Sequence, residues 1–94
     1  MWFQSQVVGW KLIFTKDAQK DTRKIAAAGL KSRTEKLLQI LTVDPFQNPP
    51  RYEKLVGDLV GAYSRRINIH HRLVYQVMKD IKTIKVIRMW THYE

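Results

Sequence analysis

The chain has 94 residues, no cysteine, and 17 lysines and arginines against 8 acidic residues, which gives a formal charge of +9 and an isoelectric point near 10.1. This length fits one domain, and a hydrophobic content of 45% suffices for a packed core, which excludes a disordered chain. The absence of cysteine excludes a disulfide framework and a thiol nucleophile, and the excess of positive charge favours an anionic partner, most often nucleic acid.

The sequence predicts no membrane span. Its longest uncharged run, residues 1–10, has about half of the ~20 apolar residues that a spanning helix needs. The run also lacks the basic start and the small-residue cleavage site of a signal peptide. We therefore expect a single cytoplasmic domain over residues 1–94, in which residues 1–9 form an N-terminal extension of unknown role.

The first half of the chain predicts one strand and two helices. Residues 10–14 are rich in β-forming side chains and alternate in part, which indicates a strand. Thr15 is a typical N-cap for a helix that reaches about Ala28 and stops at Gly29. A second helix carries leucines on one face, and the capping-box pattern of residues 32–35 marks its start, although Leu30 is already a candidate for the helix. Asp44-Pro45 ends it.

The second half predicts a sheet. After a loop over residues 46–51, four strand-like runs follow, at residues 52–56, 62–69, 72–79 and 83–90. Their short connections favour antiparallel neighbours. The predicted fold is α+β, with two N-terminal helices packed on a curved, mainly antiparallel five-stranded sheet.

Two residues suit acid–base cleavage of RNA, in which the 2′-OH of the RNA itself is the nucleophile. The reaction needs a group that accepts the proton of that hydroxyl and one that protonates the leaving 5′ oxygen. Glu53 in a basic neighbourhood is a candidate base, and His92 is a candidate acid because histidine changes charge near neutral pH. The alternatives are a surface ion pair of Glu53 with Arg51 or Lys54 and a merely exposed His92.

Arginines on the predicted strands are candidates to bind a phosphate group of RNA. Because strand residues alternate between faces, Arg66 shares a row with Ser64, whereas Arg65 belongs to a more apolar row that faces the core. Arg66 is therefore the preferred site residue, and Arg65 is left as a candidate for contact with RNA or the ribosome. Arg72 also points away from the apolar row. The alternative is that these are solvated charges that guard a sheet edge.

The remaining candidates are a stacking residue and a basic surface. Tyr93 suits stacking on a base or ordering of a phosphate. Positive residues recur at helical spacing along the first helix and suit docking on structured RNA, although such a run is also typical of a solvated face; they are Lys16, Lys20, Arg23 and Lys24. His70 and His71 fall at a turn, where we expect surface roles. No spacing predicts a zinc site or a phosphate loop, so we expect neither metal nor cofactor.

These residues, in this order, resemble the Txe/YoeB branch of the RelE/ParE toxin superfamily. The resemblance covers residues 10–93 and rests on a set of short motifs: residues 10–14, Asp44-Pro45-Phe46, Glu53-Lys54-Leu55, Leu59, Gly61, residues 63–67, His71-Arg72-Leu73-Val74-Tyr75 and His92-Tyr93. It implies the fold of the RelE-like microbial ribonucleases.

The resemblance also implies a function. It points to the toxin of a bacterial type II toxin–antitoxin system, an mRNA interferase that enters the ribosomal A site, cuts the bound mRNA and is neutralised by an antitoxin of the YefM/Phd type. Family toxins can form homodimers. By position the resemblance makes Glu53 the general base, His92 the general acid, Arg66 and Arg72 the phosphate-binding arginines, and Tyr93 the terminal tyrosine.

Two other classes of function share these features. A ParE-like toxin that inhibits gyrase has the same fold, and fold alone does not decide function. The set of Glu53, Arg72, His92 and Tyr93 argues against it, since an inhibitor that does not cut RNA has no need of these groups. A module that binds RNA or the ribosome without catalysis would carry the same positive charge.

Overall fold

The computed structural model describes residues 9–56 and 61–92. Its strands are β1 (Lys11–Phe14), β2 (Tyr52–Lys54), β3 (Ala62–Arg66), β4 (His71–Met78) and β5 (Thr83–His92), and its helices are α1 (Lys16–Ala27) and α2 (Lys31–Val43). A short 3-10 turn, Lys79–Ile81, joins β4 to β5. The N-terminal extension apart from Gly9, together with Leu59 and Tyr93, lies outside the described residues.

The strands form one five-stranded sheet in the order β1-β5-β4-β3-β2. Strand β1 runs parallel to β5, and the other neighbours are antiparallel. The predicted fold class, two helices on a mainly antiparallel five-stranded sheet, is confirmed. The first strand of the chain therefore pairs with the last, and β5 lies between β1 and β4.

Helix α1 begins and ends as the sequence predicts. Thr15 is its N-cap, and the Thr15 hydroxyl accepts a hydrogen bond from the backbone N–H of Ala18. At the other end Gly29 has a φ of 74°, which suits glycine, and the N–H of Leu30 donates to the Ile25 carbonyl. The chain thus turns within three residues between the helices.

Helix α2 starts earlier than the capping box predicts. It begins at Lys31 with Leu30 at the N-cap, and no side chain caps it. The start that the capping box marks is therefore wrong, and the alternative that the helix already reaches back to Leu30 is closer. The physical reason is the turn at Gly29, which already places the Leu30 carbonyl to accept the N–H of Thr34. The predicted end at Asp44 is confirmed.

The core lies between the two helices and one face of the sheet. Helix α1 contributes Ala18 and Ile25, helix α2 contributes three leucines, and the sheet contributes a larger apolar group that includes Leu73, Tyr75, Ile84, Val86 and Met89. Burial of each large apolar side chain stabilises the fold by about 1.5–3 kcal/mol. The opposite face of β2, β3 and β4 is left to carry polar residues. Within residues 9–56 and 61–92 no helix is long and apolar enough to cross a membrane.

Candidate active site

Alternation along β3 separates its two arginines. Arg66 is exposed, whereas Arg65 is completely buried. Ser64 lies on the Arg66 side, directly beneath polar side chains of the neighbouring strands, and is 1% exposed. The polar face of the sheet therefore carries Arg66 and Ser64, as the row pattern of the sequence predicts.

An ion pair spans three strands on this face. Glu53 lies opposite Ser64 in the β2–β3 ladder, and Arg72 lies opposite Arg66 in the β3–β4 ladder. Nη1 of Arg72 lies 3.2 Å from Oε1 of Glu53 and donates a hydrogen bond of 3.2 Å to the Ser64 hydroxyl. The Arg72 side chain is 15% exposed and that of Glu53 is 47% exposed. Arg72 therefore fixes the Glu53 carboxylate while the carboxylate still faces solvent.

These side chains line a small cavity of about 310 Å³, whose walls are Pro50, Arg51, Glu53, Ser64, Arg66 and Arg72. Three guanidinium groups face one carboxylate, so the cavity is net positive. Arginine binds phosphate oxygens through a planar set of donors, and neighbouring arginines suit a phosphate diester. The arrangement combines a positioned carboxylate with positive charge for an anion.

Arg65 does not belong to the RNA-contacting surface, so its assignment to RNA or ribosome binding is wrong. Its Nε donates to the Tyr75 hydroxyl at 3.0 Å, and its terminal nitrogens donate to the carbonyls of Pro50 at 2.6 Å and Pro45 at 2.9 Å. Burial raises the pKa of Tyr75, so its hydroxyl stays protonated and donates to the Pro45 carbonyl. Arg65 thus ties the 45–50 loop, which leads into β2, to the sheet.

The end of β5 brings His92 beside the cavity strands. In the β4–β5 ladder the backbone of His92 lies opposite His71, and that of Thr91 lies opposite Arg72. Glu53, Arg66 and Arg72 are thus brought together by three adjacent strands, and the His92 backbone lies at the next strand.

Asp21 is a functional candidate that sequence reasoning missed. Its buried carboxylate accepts hydrogen bonds from Arg88 Nε and from the backbone N–H groups of Met89 and Trp90. Burial alone would raise the pKa of Asp21, but the hydrogen bonds from these three partners outweigh it and hold the pKa below its ordinary value. The same contact raises the pKa of Arg88. The sequence did contain a signal for this role of Asp21: the residue lies at helical spacing between the apolar residues Ala18 and Ile25, on the face of α1 that is buried.

His71 lies in a different place from the one expected. It is half-buried in β4, and its ring stacks on Trp90 with centroids 3.8 Å apart and planes 18° apart. The expected surface role of His71 is therefore wrong, because the strand begins at His71 and pairs it with β5. His70 is exposed, as expected.

The basic face of α1 is separate from this cavity. Lys16, Lys20, Arg23 and Lys24 are all exposed. A shallow groove of about 490 Å³ lies along them, lined by Lys16, Gln19, Lys20 and Arg23. This face presents a row of cations that suits phosphate groups of a folded nucleic acid.

Comparison with known proteins shows a consistent family. A family model described as the YoeB-like toxin of bacterial type II toxin–antitoxin systems matches residues 14–93. The toxin YoeB of Mycobacterium bovis is 38% identical over 82 residues, which cover 85% of this chain and 94% of that protein.

Solved structures agree with these sequence matches. A YoeB/ParE toxin from Agrobacterium tumefaciens superposes with a TM-score of 0.79 at 30% identity, covering 88% of this chain and 99% of that one. A chain of a YoeB–YefM complex from Staphylococcus aureus superposes with a TM-score of 0.74 at 30% identity. The match covers 89% of this chain and 98% of that one. A chain of a YoeB dimer from the same species superposes with a TM-score of 0.77 at 29% identity. The match covers 92% of this chain and 100% of that one.

Proposed function

The chain belongs to the family of YoeB-like toxins of bacterial type II toxin–antitoxin systems, and we propose that it is a ribosome-dependent endoribonuclease that cuts mRNA in the A site and so inhibits translation. The observation that carries this proposal is the Glu53–Arg72 ion pair beside Arg66 in a small cationic cavity. It supplies a positioned carboxylate and positive charge close enough together to contact the same phosphate group.

Glu53 acts as the general base in this proposal. It takes the proton of the 2′-OH, and the resulting oxygen attacks the adjacent phosphorus. Its position on an edge strand leaves the carboxylate accessible to RNA, and the contact with Arg72 holds its orientation. A base must reach the proton that it abstracts, so orientation matters as much as basicity.

Arg66 and Arg72 stabilise the negative charge that builds on the phosphate oxygens as the 2′ oxygen attacks. They lie directly opposite one another in the β3–β4 ladder, so both can face one phosphate. Fixed cations at the place where charge develops lower the barrier without reorganisation. When RNA binds, its phosphate competes with Glu53 for the donors of Arg72, which frees the carboxylate to accept a proton.

His92 completes the reaction as the general acid. It protonates the 5′ oxygen as the bond to phosphorus breaks, which yields a cyclic phosphate and a free 5′-OH. The pairing of its backbone with His71 supports this role by placing it beside the strand that carries Arg72. Tyr93, which follows His92 in the chain, stacks on a base or orders a phosphate.

The basic face of α1 docks the toxin on ribosomal RNA in this proposal. Exposed Lys16, Lys20, Arg23 and Lys24 contact phosphates and so bring the cavity to the bound mRNA. The substrate places the protein in the bacterial cytoplasm.

An antitoxin of the YefM/Phd type is the proposed neutralising partner. The S. aureus relative is described in complex with YefM, which supports the same kind of partner here. An acidic segment of the antitoxin suits a chain of charge +9. The S. aureus dimer likewise supports a homodimer.

Primer extension tests the proposal. Purified toxin is added to ribosomes that carry a defined mRNA, and 5′ ends are mapped for the wild type and for His92→Gln. We expect cuts within the A-site codon and about 10²-fold less cleavage by His92→Gln. Ribosome binding without cuts would favour the non-catalytic module, and inhibition of gyrase without cuts would favour the ParE-like class.

A further inference from the structure

Strand β5 carries two extra residues relative to β4. Tyr75 faces Val86, whereas Val74 faces Arg88, so Ile87 is extra. Arg72 then faces Thr91, so Met89 and Trp90 together face Leu73. Such bulges break the backbone ladder locally and leave N–H groups that need other partners.

The two bulges decide which residue of β5 has its backbone opposite His71. In an unbroken ladder from the Tyr75–Val86 pair, Trp90 would lie opposite His71; in the structure His92 lies there. The two extra residues therefore shift the end of β5 relative to β4 by two positions, or about 6.6 Å at ~3.3 Å per residue. Without them the backbone of His92 would extend past β4 instead of lying next to the strand of Arg72.

Helix α1 contacts both bulges. The Thr15 hydroxyl donates to the carbonyl of the extra residue Ile87 at 2.7 Å. Oδ2 of Asp21 accepts from the N–H groups of Met89 at 2.9 Å and Trp90 at 3.1 Å, and from Arg88 Nε at 2.9 Å. The Asp21 carboxylate is 2% exposed, so water does not readily replace it as the acceptor.

We propose that Asp21 is a positioning residue: by accepting the two N–H groups freed at the second bulge, it holds β5 in the register that places His92 beside Arg72. The proposal rests on the proposed function in taking His92 as the general acid. Asp21 itself touches no substrate. Its effect is to keep the acid within reach of the leaving oxygen, where a displacement of about 1 Å can cost about 10²-fold in rate.

Asp21→Ala tests this, because it removes every side-chain acceptor from the N–H groups of Met89 and Trp90, whereas asparagine would keep one oxygen that can accept both. We expect cleavage per folded molecule to fall by about 10²-fold, with the loss in kcat and little change in KM, since the exposed face of α1 is unchanged. In NMR spectra of the folded variant, the amide signals of Met89 and Trp90 and the ring signals of His92 should shift. A merely stabilising residue would lower the folded fraction and shift the two amide signals that its own hydrogen bonds affect, but it would leave the ring signals of His92 in place.

Arg88→Met is the matched control. It removes the ion pair and keeps the acceptor for the two N–H groups, so we expect cleavage within about twofold of the wild type and unshifted His92 signals. If Asp21→Ala does not fold, Asp21→Glu replaces it. The added methylene keeps the charge and displaces the acceptor, with an expected loss of cleavage of about tenfold.

Wild-type His92 signals in a folded Asp21→Ala protein would overturn the proposal, and so would an equal loss of cleavage in Arg88→Met. Failure of the proposed function has a different signature. In that case the wild type makes no cuts, or His92→Gln cuts as well as the wild type, while the His92 signals of the Asp21 variant still decide whether Asp21 sets the register of β5.

Discussion

Arg72 reaches across β3 to Glu53, with 3.2 Å between its Nη1 and Oε1 of the carboxylate, although the two residues lie on strands that do not touch. The strands are about 9.6 Å apart, twice the usual spacing of neighbours. Only a long side chain spans that distance, and the small, buried Ser64 lies beneath it. The candidate base and one candidate phosphate-binding arginine therefore form a single unit in the absence of RNA.

Removal of either member of this unit should stop cleavage without unfolding the protein. We expect Glu53→Ala and Arg72→Ala each to lower mRNA cleavage by about 10²-fold, the first through loss of the base and the second through loss of charge stabilisation. Because the two act together, the double variant should cost less than the sum of the single losses. Cleavage kinetics on ribosomes, with circular dichroism as a check on folding, measure this.

Asp80→Asn serves as the control for these variants, since it removes one exposed negative charge outside the cavity. Its cleavage should match the wild type. Wild-type cleavage by a folded double variant at Glu53 and His92 would contradict the assignment of these residues as general base and general acid.

The adjacent arginines of β3 should respond in opposite ways. Arg65→Ala removes the hydrogen-bond partner of a buried carbonyl, a part-buried carbonyl and a buried phenol, so the free energy of unfolding should fall by about 3 kcal/mol or more. Arg66→Ala should change it by no more than about 0.5 kcal/mol, because the side chain is exposed, yet lower cleavage by about tenfold or more. Urea unfolding and cleavage assays separate the two. Equal loss of stability would contradict the burial of Arg65.

Charge reversal on α1 should weaken ribosome binding. Replacement of Lys16, Lys20 and Lys24 by Glu removes cations that displace counterions from RNA, so affinity should fall and depend less steeply on salt. Co-sedimentation with ribosomes over a salt series measures both. The triple variant at Lys11, Lys79 and Lys82 makes the same charge change away from α1 and should keep more of the affinity. Identical slopes for the wild type and the α1 variant would mean that this face is merely solvated.

Stability should depend on pH through Asp21. Its pKa is held below the ordinary value of 3.8 in the folded protein, so it stabilises the fold fully above about pH 4 and loses this contribution as pH falls through the folded pKa. Asp21→Asn should cost about 1–3 kcal/mol at pH 6 and progressively less below pH 4. Urea unfolding at several pH values measures this difference. A difference in unfolding free energy between the wild type and Asp21→Asn that stays constant down to pH 2 would exclude the linkage.

The antitoxin should contact the cavity arginines. We expect an acidic segment of the cognate antitoxin to pair with Arg66 or Arg72 and to shift the NMR signals of His92 and Tyr93. A charge-assisted pair contributes about 1.5–3 kcal/mol, so Arg66→Ala should weaken the complex by at least about tenfold. Lys79→Ala, an exposed charge outside the cavity, should bind with wild-type affinity. Complete inhibition with unperturbed His92, Arg66 and Arg72 would place the control elsewhere, such as simple blockage of ribosome entry.

Local sequence rules were sufficient to predict the parts of the site that depend on the alternation of side chains between the two faces of a strand. The two-residue period of β3 separates Arg66 from Arg65 because the backbone itself alternates the side chains. The Thr15 cap and the Gly29 stop are likewise local, and both are confirmed. The capping box misplaced the start of α2, because the turn from α1 makes Leu30 the N-cap; the alternative start at Leu30 was the closer one.

The contacts that join distant segments could not be read from a single sequence. Asp21 and the two N–H groups that it accepts are 68 and 69 residues apart. Bulges in β5 also shift the register in a way that no composition or spacing reveals, since they depend on what α1 offers to the freed backbone groups. For the same reason the burial of His71 against Trp90 went unpredicted.

The position of β5 between β1 and β4 also sets an order on biosynthesis. During translation β1, α1 and α2 leave the ribosome first, yet β1 has no neighbour and α1 lacks its Ile87, Met89 and Trp90 partners until the last strand appears. Contacts so far apart along the chain make folding slow relative to a helical bundle of this size. The nascent chain can pair β2, β3 and β4 earlier, but it completes its five-stranded sheet, and brings the His92 backbone beside the strand of Arg72, only after β5 has been made.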